Sequence, residues 1–341
     1  MEVMPPATPH PPTTHQVDEM FAAVGLRHGQ RNTRGPKSAK PRKIPAQKKA
    51  TTSVKVELLR NPAWANYPWL LHGFSTRPGG LTTLYSADRA TGELNLGYTA
   101  ADTHANVDKN RRHLVRAVSQ ESKSLPTLVT LRQIHSGLIH EVHEKAAPLQ
   151  GDALVTNEAN LLLAIQTADC VPILLVDPEN RAVAAFHAGW RGTVKRIVER
   201  GVGLMRARFH SDPAKLQAAI GPSIGQCCYA VGEEVVSEFS SQFAYSAELF
   251  REVFDSDPVK KKYPMLFLTA RAPGHSNIGP QIHLDLWEAN RRQLLDAGLA
   301  AENIWVSEEC TQCHPEIYFS HRGEQGFTGR MLSVVGLREG S

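Results

Sequence analysis

Apolar positions fall into short runs separated by turn residues. Leu161–Ile165, Ile173–Val176 and Val183–Phe186 are continuous apolar stretches and predict strands buried on both faces. Asp177-Pro178-Glu179-Asn180 predicts the turn between the last two. Val194, Ile197, Val198, Val202 and Met205 recur at helical spacing and predict a helix over Gly192–Arg208, against the cost of Gly201 and Gly203. Leu286–Ala297 predicts a second helix, with Asp285 as N-cap and Gly298 as its stop. Ile304–Val306 and Ile317–Phe319 predict further strands. Strands in close succession with few helices between them point to α+β architecture rather than a uniform βαβ alternation.

The first 52 residues break this pattern. They hold eight of the 22 prolines and little apolar sequence, so residues 1–52 are expected to be a disordered, basic, Pro-rich tail, with order from about Val54. Val17–Leu26 could form only one or two helical turns, and Ser241–Pro264 reads as an irregular insertion within one domain (53–341). The net charge of +4 comes from this tail: residues 1–50 carry nine Lys/Arg against three acids, so the rest is slightly acidic. A nucleic-acid-binding core is therefore not expected. The longest apolar stretch, Leu161–Val176, is interrupted by Gln166 and Asp169, which argues against a membrane span. Five cysteines, an odd number, fit free thiols in a reducing, cytoplasmic compartment better than a disulfide framework.

Three segments place metal-ligand chemistry where apolar runs stop: Arg132–Ser136, Thr167–Pro172 and His187–Gly192. His135, Cys170 and His187 would form an N/S/N set suited to zinc, with a fourth position open. The same residues also fit a Cys170 nucleophile with a histidine base oriented by Asp169. Cys310-x-x-Cys313-His314 matches the haem-attachment pattern, but no export signal precedes it. A zinc site there would need a second, properly spaced pair, and the adjacent Cys227-Cys228 is not one, so both pairs are read as structural or incidental. Gly73–Gly80 and Gly189–Gly192, each carrying an arginine, are loops that could receive an anion, with Ser320-His321-Arg322 and Gly329-Arg330 as further donors.

At these residues the chain resembles the YfiH-like, laccase-domain (multicopper polyphenol oxidase) family, which is associated with purine nucleoside phosphorylase activity. The matching pieces are His72–Arg77, Leu94–Gly97, Asn110-Arg111, Gln133–His135, Gly151–Thr156, Thr167–Pro172, His187–Gly192, Ile220–Gly225, Cys310-Thr311, Ser320–Arg322 and Gly329-Arg330. The resemblance spans about His72 to Leu337 and implies one α+β domain with mixed β-sheets flanked by helices. It implies a metal, usually zinc with copper as the alternative, held by His135, Cys170 and His187. It implies phosphorolysis of adenosine, inosine and methylthioadenosine, and deamination of adenosine. One departure is Ala230, where members often carry Glu before Val-Gly.

For phosphorolysis, Arg77 and Arg191 are expected to hold phosphate, with His72 assisting and Asp169 as an acid toward the purine. The zinc-deaminase pattern His-x-Glu…Pro-Cys-x-x-Cys is absent. Copper-dependent polyphenol (laccase) oxidation is the alternative activity, but the chain has no His-x-His pair for a multicopper centre. A non-catalytic purine-binding metalloprotein and an editing hydrolase for peptidoglycan precursors are the remaining alternatives.

Overall fold

The computed structural model describes residues 55–85, 92–120, 124–144, 149–253 and 281–339. The expectations for the tail, for Val17–Leu26 and for the later part of the Ser241–Pro264 segment lie outside the described residues. The architecture is α+β, as the sequence indicated.

Two sheets form its centre. One has five strands in the order Leu58–Leu59, Leu70–Ser75, Met331–Leu337, Leu161–Thr167 and Thr127–Thr130. The other has six: Ile304–Val306, Gln217–Ile220, Val171–Asp177, Ala182–Ala188, Ala153–Thr156 and Ile139–Glu141. Both are mixed: Thr127–Thr130 runs parallel to Leu161–Thr167, whereas Met331–Leu337 is antiparallel to it. A small three-stranded sheet joins Ala230–Val231, Gln281–Leu284 and Phe250–Val253.

Side-chain alternation explains why the central strands are apolar throughout. Leu163 and Ile165 point into the core between the large sheets, where they meet Leu174, Val176, Val183 and Ala185. Leu162 and Ala164 point the other way, onto Leu114 and Val118 of the His104–Ser119 helix. In the six-stranded sheet, Ile173, Leu175, Ala184 and Phe186 face the helices Ile197–Phe209, Glu233–Gln242 and Leu286–Asp296. Each strand thus buries both faces, which removes the polar half of the usual period-two pattern.

Two expectations need correction. The helix predicted over Gly192–Arg208 is two helices, Trp190–Val194 and Ile197–Phe209. Arg196 adopts a left-handed conformation (φ 55°) between them, and its guanidinium bonds to Glu199 and the Gln242 carbonyl. Gly201 is tolerated mid-helix because Phe186 packs where a Cβ would stand, 2.1 Å from the ring. Ile317–Phe319 is not a strand; its backbone closes local turns onto His314, and its apolarity reflects burial of Tyr318 and Phe319 against Met331. The Leu286–Asp296 helix forms as expected, with Asp285 accepting from the Glu288 N–H and Gly298 at φ 101°. Among the described residues, no helix is long and apolar enough to cross a membrane.

His72 lies on the Leu70–Ser75 strand, only 4% exposed, edge-on to Trp64 and without a well-aligned partner for either ring nitrogen. Burial, aided by the Arg60 charge, lowers it from its ordinary 6.5 to about 4. The folded state therefore binds fewer protons than the unfolded chain between these values. Its contribution is complete above the unfolded value and is lost as pH falls from 6.5 toward 4, by at most roughly 3 kcal/mol. Urea unfolding at pH 7 and pH 4.5 is expected to show a smaller acid loss for His72→Phe than for the unsubstituted protein. Equal losses would contradict this.

Candidate active site

Three strand ends meet at one cleft. Cys170 precedes the Val171–Asp177 strand, in the crossing from one large sheet to the other. His187 sits near the end of the paired strand, opposite Pro172. His135 lies in the loop after Thr127–Thr130, in a left-handed conformation (φ 55°). The register delivers a ligand atom from each of the three to within 4.8 Å of one another, so the group can hold a metal ion. Cys170 Sγ stands 3.9 Å from His135 Nε2, and the two imidazoles meet edge to face at 4.9 Å. Gly189 allows this packing, since a Cβ there would lie 2.8 Å from Cys170 Sγ.

The orienting carboxylate is Asp152, not Asp169. Asp152 is fully buried, and its Oδ1 pairs with His187 Nδ1 at 2.8 Å. It also accepts from the backbone N–H groups of Ile134, His135 and Ser136 and from the Ser136 hydroxyl. Three successive N–H groups around one carboxylate form an anion-binding nest. Burial opposes the charge, but the His187 and Ser136 bonds overcome it and hold Asp152 well below the usual carboxylate range. With Nδ1–H donating to Asp152, His187 keeps Nε2 for Cys170 or for a cation between them.

The same logic sets the thiol. Burial alone would raise Cys170, yet His187 and His135 bring it down to about 6. Burial likewise opposes a charge on His187, which Cys170 and Asp152 raise to about 9. The site therefore favours a thiolate, the form that ligates a cation or acts as a nucleophile.

The cleft has a volume of roughly 430 Å³. Its lining includes Arg132, Gln133, Gln166, His321 and Arg330 beside the three clustered residues. Gln133 is fixed by two bonds to the backbone of Gln166, and Arg330 donates to the Thr328 and Gly329 carbonyls. Sequence reasoning assigned no role to Asp152, Arg132, Gln133 or Gln166. The signal for Asp152 was a Gly-Asp pair before an apolar run, which reads as a turn.

The other expected site residues are elsewhere or otherwise engaged. Arg77 is not brought to the cleft: it is buried, ion-paired with Glu93 and Glu324, and bonded to the Pro315 carbonyl. Its charge is neutralised, so the Gly73–Gly80 segment does not offer a free cation there. His72 is enclosed among apolar side chains away from the cleft lining. Arg191 lies exposed over the Trp190 ring at 4.2 Å and does not line the cleft. Asp169, at φ 94°, accepts from Thr311 Oγ1, Ser320 Oγ and the Arg322 N–H, so both oxygens are occupied. It is a positioning residue that fastens the 309–322 segment beside Cys170.

The fold and this cleft define an α+β protein with a three-residue group between sheet ends that can hold a metal ion. The chain belongs to the family described as multi-copper polyphenol oxidoreductase laccase, whose profile matches residues 71–338. It is 37% identical over 287 residues to the purine nucleoside phosphorylase YlmD of Geobacillus stearothermophilus, covering 80% of this chain and 95% of that protein. A purine nucleoside phosphorylase of Deinococcus radiodurans is 36% identical, covering 85% and 97%. The adenosine deaminase RL5, from an unknown prokaryotic organism, is 38% identical over 62% of this chain and 75% of its own length. The crystal structure of Bacillus licheniformis YfiH matches with a TM-score of 0.68 at 30% identity, covering 82% and 96% of the two chains.

Asp169→Ala is expected to destabilise the protein by roughly 3 kcal/mol, because two buried hydroxyls and an N–H lose their acceptor. Asp169→Asn should fall between, keeping an oxygen for the hydroxyls but setting an amide N–H₂ against Arg322. Urea unfolding of the three proteins checks this order, and an unchanged midpoint for Asp169→Ala would refute it.

Proposed function

We propose that this protein is a purine nucleoside phosphorylase. It would cleave adenosine, inosine and methylthioadenosine with phosphate to the free base and a pentose 1-phosphate. The observation that carries the reading is the composition of the cleft. A His135/Cys170/His187 group shares a nucleoside-sized space with the cations Arg132 and Arg330 and the amides Gln133 and Gln166. The names of the phosphorylase relatives support it.

Zinc is the ion assigned to the three-residue group, because one thiolate and two imidazoles suit it, although copper(II) competes for the same donors. A bound zinc ion would supply Lewis acidity in the cleft. The remaining work falls to the protein's own groups. Arg132 and Arg330 are assigned to phosphate, where guanidinium groups make charge-assisted bonds to the oxyanion and orient it toward C1′. Gln166 is assigned to the purine edge, and His321 to the proton taken up by the departing base. Asp152 holds His187 in one orientation throughout.

Adenosine deamination is the second reading, favoured by the deaminase relative. In it, water attacks C6 of the purine instead of phosphate attacking C1′, the 6-amino group leaves as ammonia, and the product is inosine.

Mass spectrometry of products from adenosine, with and without phosphate, separates these readings. The expected result is phosphate-dependent adenine and ribose 1-phosphate, abolished in Cys170→Ala. Arg132→Ala and Arg330→Ala should each raise the KM for phosphate about 10–100-fold, as for loss of a charged hydrogen bond, with less effect on the KM for nucleoside. Inosine formed regardless of phosphate would replace phosphorolysis with deamination, and no product from any of the three nucleosides would overturn both.

A further inference from the structure

The sequence offered two unconnected cysteine pairs, and the fold joins them. Cys227 and Cys228 lie in the turn after Ile220–Gly225, and Cys310 and Cys313 lie in the turn after the Ile304–Val306 strand. Their strands are parallel neighbours at the edge of the six-stranded sheet, which brings both turns to the same end. The four sulfurs all lie within 4.8 Å of one another. Cys227 and Cys228 each stand 3.5 Å from Cys313 Sγ. The adjacent pair can converge because the chain curls there, with the N–H groups of Cys228 and Tyr229 both donating to the Gly225 carbonyl.

We propose that Cys227, Cys228, Cys310 and Cys313 bind a zinc ion of their own in a closed tetrathiolate site, separate from the His135/Cys170/His187 group. The spacing fits one ion: zinc–sulfur bonds of 2.3 Å in a tetrahedron separate the sulfurs by about 3.8 Å. The donor set is also of the kind that selects zinc, four soft thiolates with no position left for water or substrate. Supporting contacts are in place. The Gly225 N–H donates to Cys310 Sγ at 3.3 Å, the kind of outer bond that orients a thiolate ligand. Cys310 is buried, whereas Cys227 and Cys313 are exposed, so a cation has a path in and the thiol protons a path out to solvent.

The site clamps two segments that enclose Asp169. Ser223 pairs with Cys310 through a backbone bridge, the Ile224 N–H donates to the Asp169 carbonyl, and Thr311 bonds the Asp169 carboxylate. Asp169 immediately precedes Cys170. Tyr229, next to Cys228, lies under the Arg322 guanidinium. The ion would thus be structural and would brace the segments behind the catalytic thiol.

The test is zinc content per chain of full-length protein purified under reducing conditions, with Cys170→Ser and Cys313→Ser as variants. Two zinc ions in the unsubstituted protein, one in each variant and none in the double variant are expected. If the His135/Cys170/His187 group holds no metal, the unsubstituted protein and Cys170→Ser carry one ion and Cys313→Ser carries none, which still supports this site. Zinc content unchanged by Cys313→Ser would overturn it. Cobalt(II) added to the Cys170→Ser protein, first stripped of metal with a chelator under reducing conditions, gives a measurement that does not depend on folding of the Cys313 variant. An intense thiolate-to-cobalt absorption with strong tetrahedral bands in the red is expected. Its absence would overturn the proposal, as would an intact mass two hydrogens short with a disulfide mapped among these four cysteines.

Discussion

The carboxylate of Asp152 accepts from the backbone of Ile134, His135 and Ser136 and from the ring of His187. It therefore couples the loop that carries one imidazole to the strand that carries the other. The left-handed backbone at His135 is unfavourable for a residue with a Cβ, and the nest of N–H groups around Asp152 is what compensates it. A charge this deeply buried is tolerated because five donors point at it, the N–H groups of Ile134, His135 and Ser136, the Ser136 hydroxyl and the His187 ring. The protonation pattern follows from the same pair: Asp152 favours the Nδ1–H form of His187, and His187 with His135 favours the Cys170 thiolate.

The stacked sheets explain why this arrangement is rigid. His187 belongs to, and Cys170 immediately precedes, a pair of central strands whose side chains are buried on both faces, so the register of that ladder sets their spacing. Loops then add what the strands cannot: Asp169 turns the chain between sheets and fastens Thr311, Ser320 and Arg322 around it. Positive φ values at His135 and Asp169 mark two places in the site where a carboxylate acceptor fixes a strained backbone.

Much of this was legible in the sequence. The central strands, the capped Leu286–Asp296 helix and the His135/Cys170/His187 grouping rest on local signals: apolar runs, a cap residue and soft ligands where runs stop. What stayed hidden depends on pairing between distant segments. Arg77 in a Gly-rich stretch looks like an anion site until Glu93 and Glu324 are seen to neutralise it. Asp169 beside Cys170 looks like the orienting acid until its oxygens are found turned to Thr311, Ser320 and Arg322. The role of Asp152 and the meeting of the two cysteine pairs could not be read from the sequence, because each requires knowing which strand lies beside which. The apolar Ile317–Phe319 misled in the other direction, since burial without pairing leaves the same composition as a strand.

The most direct test of Asp152 as the organising group is a zinc competition titration against a chromophoric chelator, comparing Asp152 with Asp152→Asn. Both would carry Cys313→Ser, so that the signal reports the His135/Cys170/His187 group alone, and near-native circular dichroism would be checked for each. Zinc affinity about 10–100-fold weaker in Asp152→Asn is the predicted result, as for loss of an outer ligand-orienting partner. Equal affinity in the two proteins, or no zinc binding by either, would contradict it.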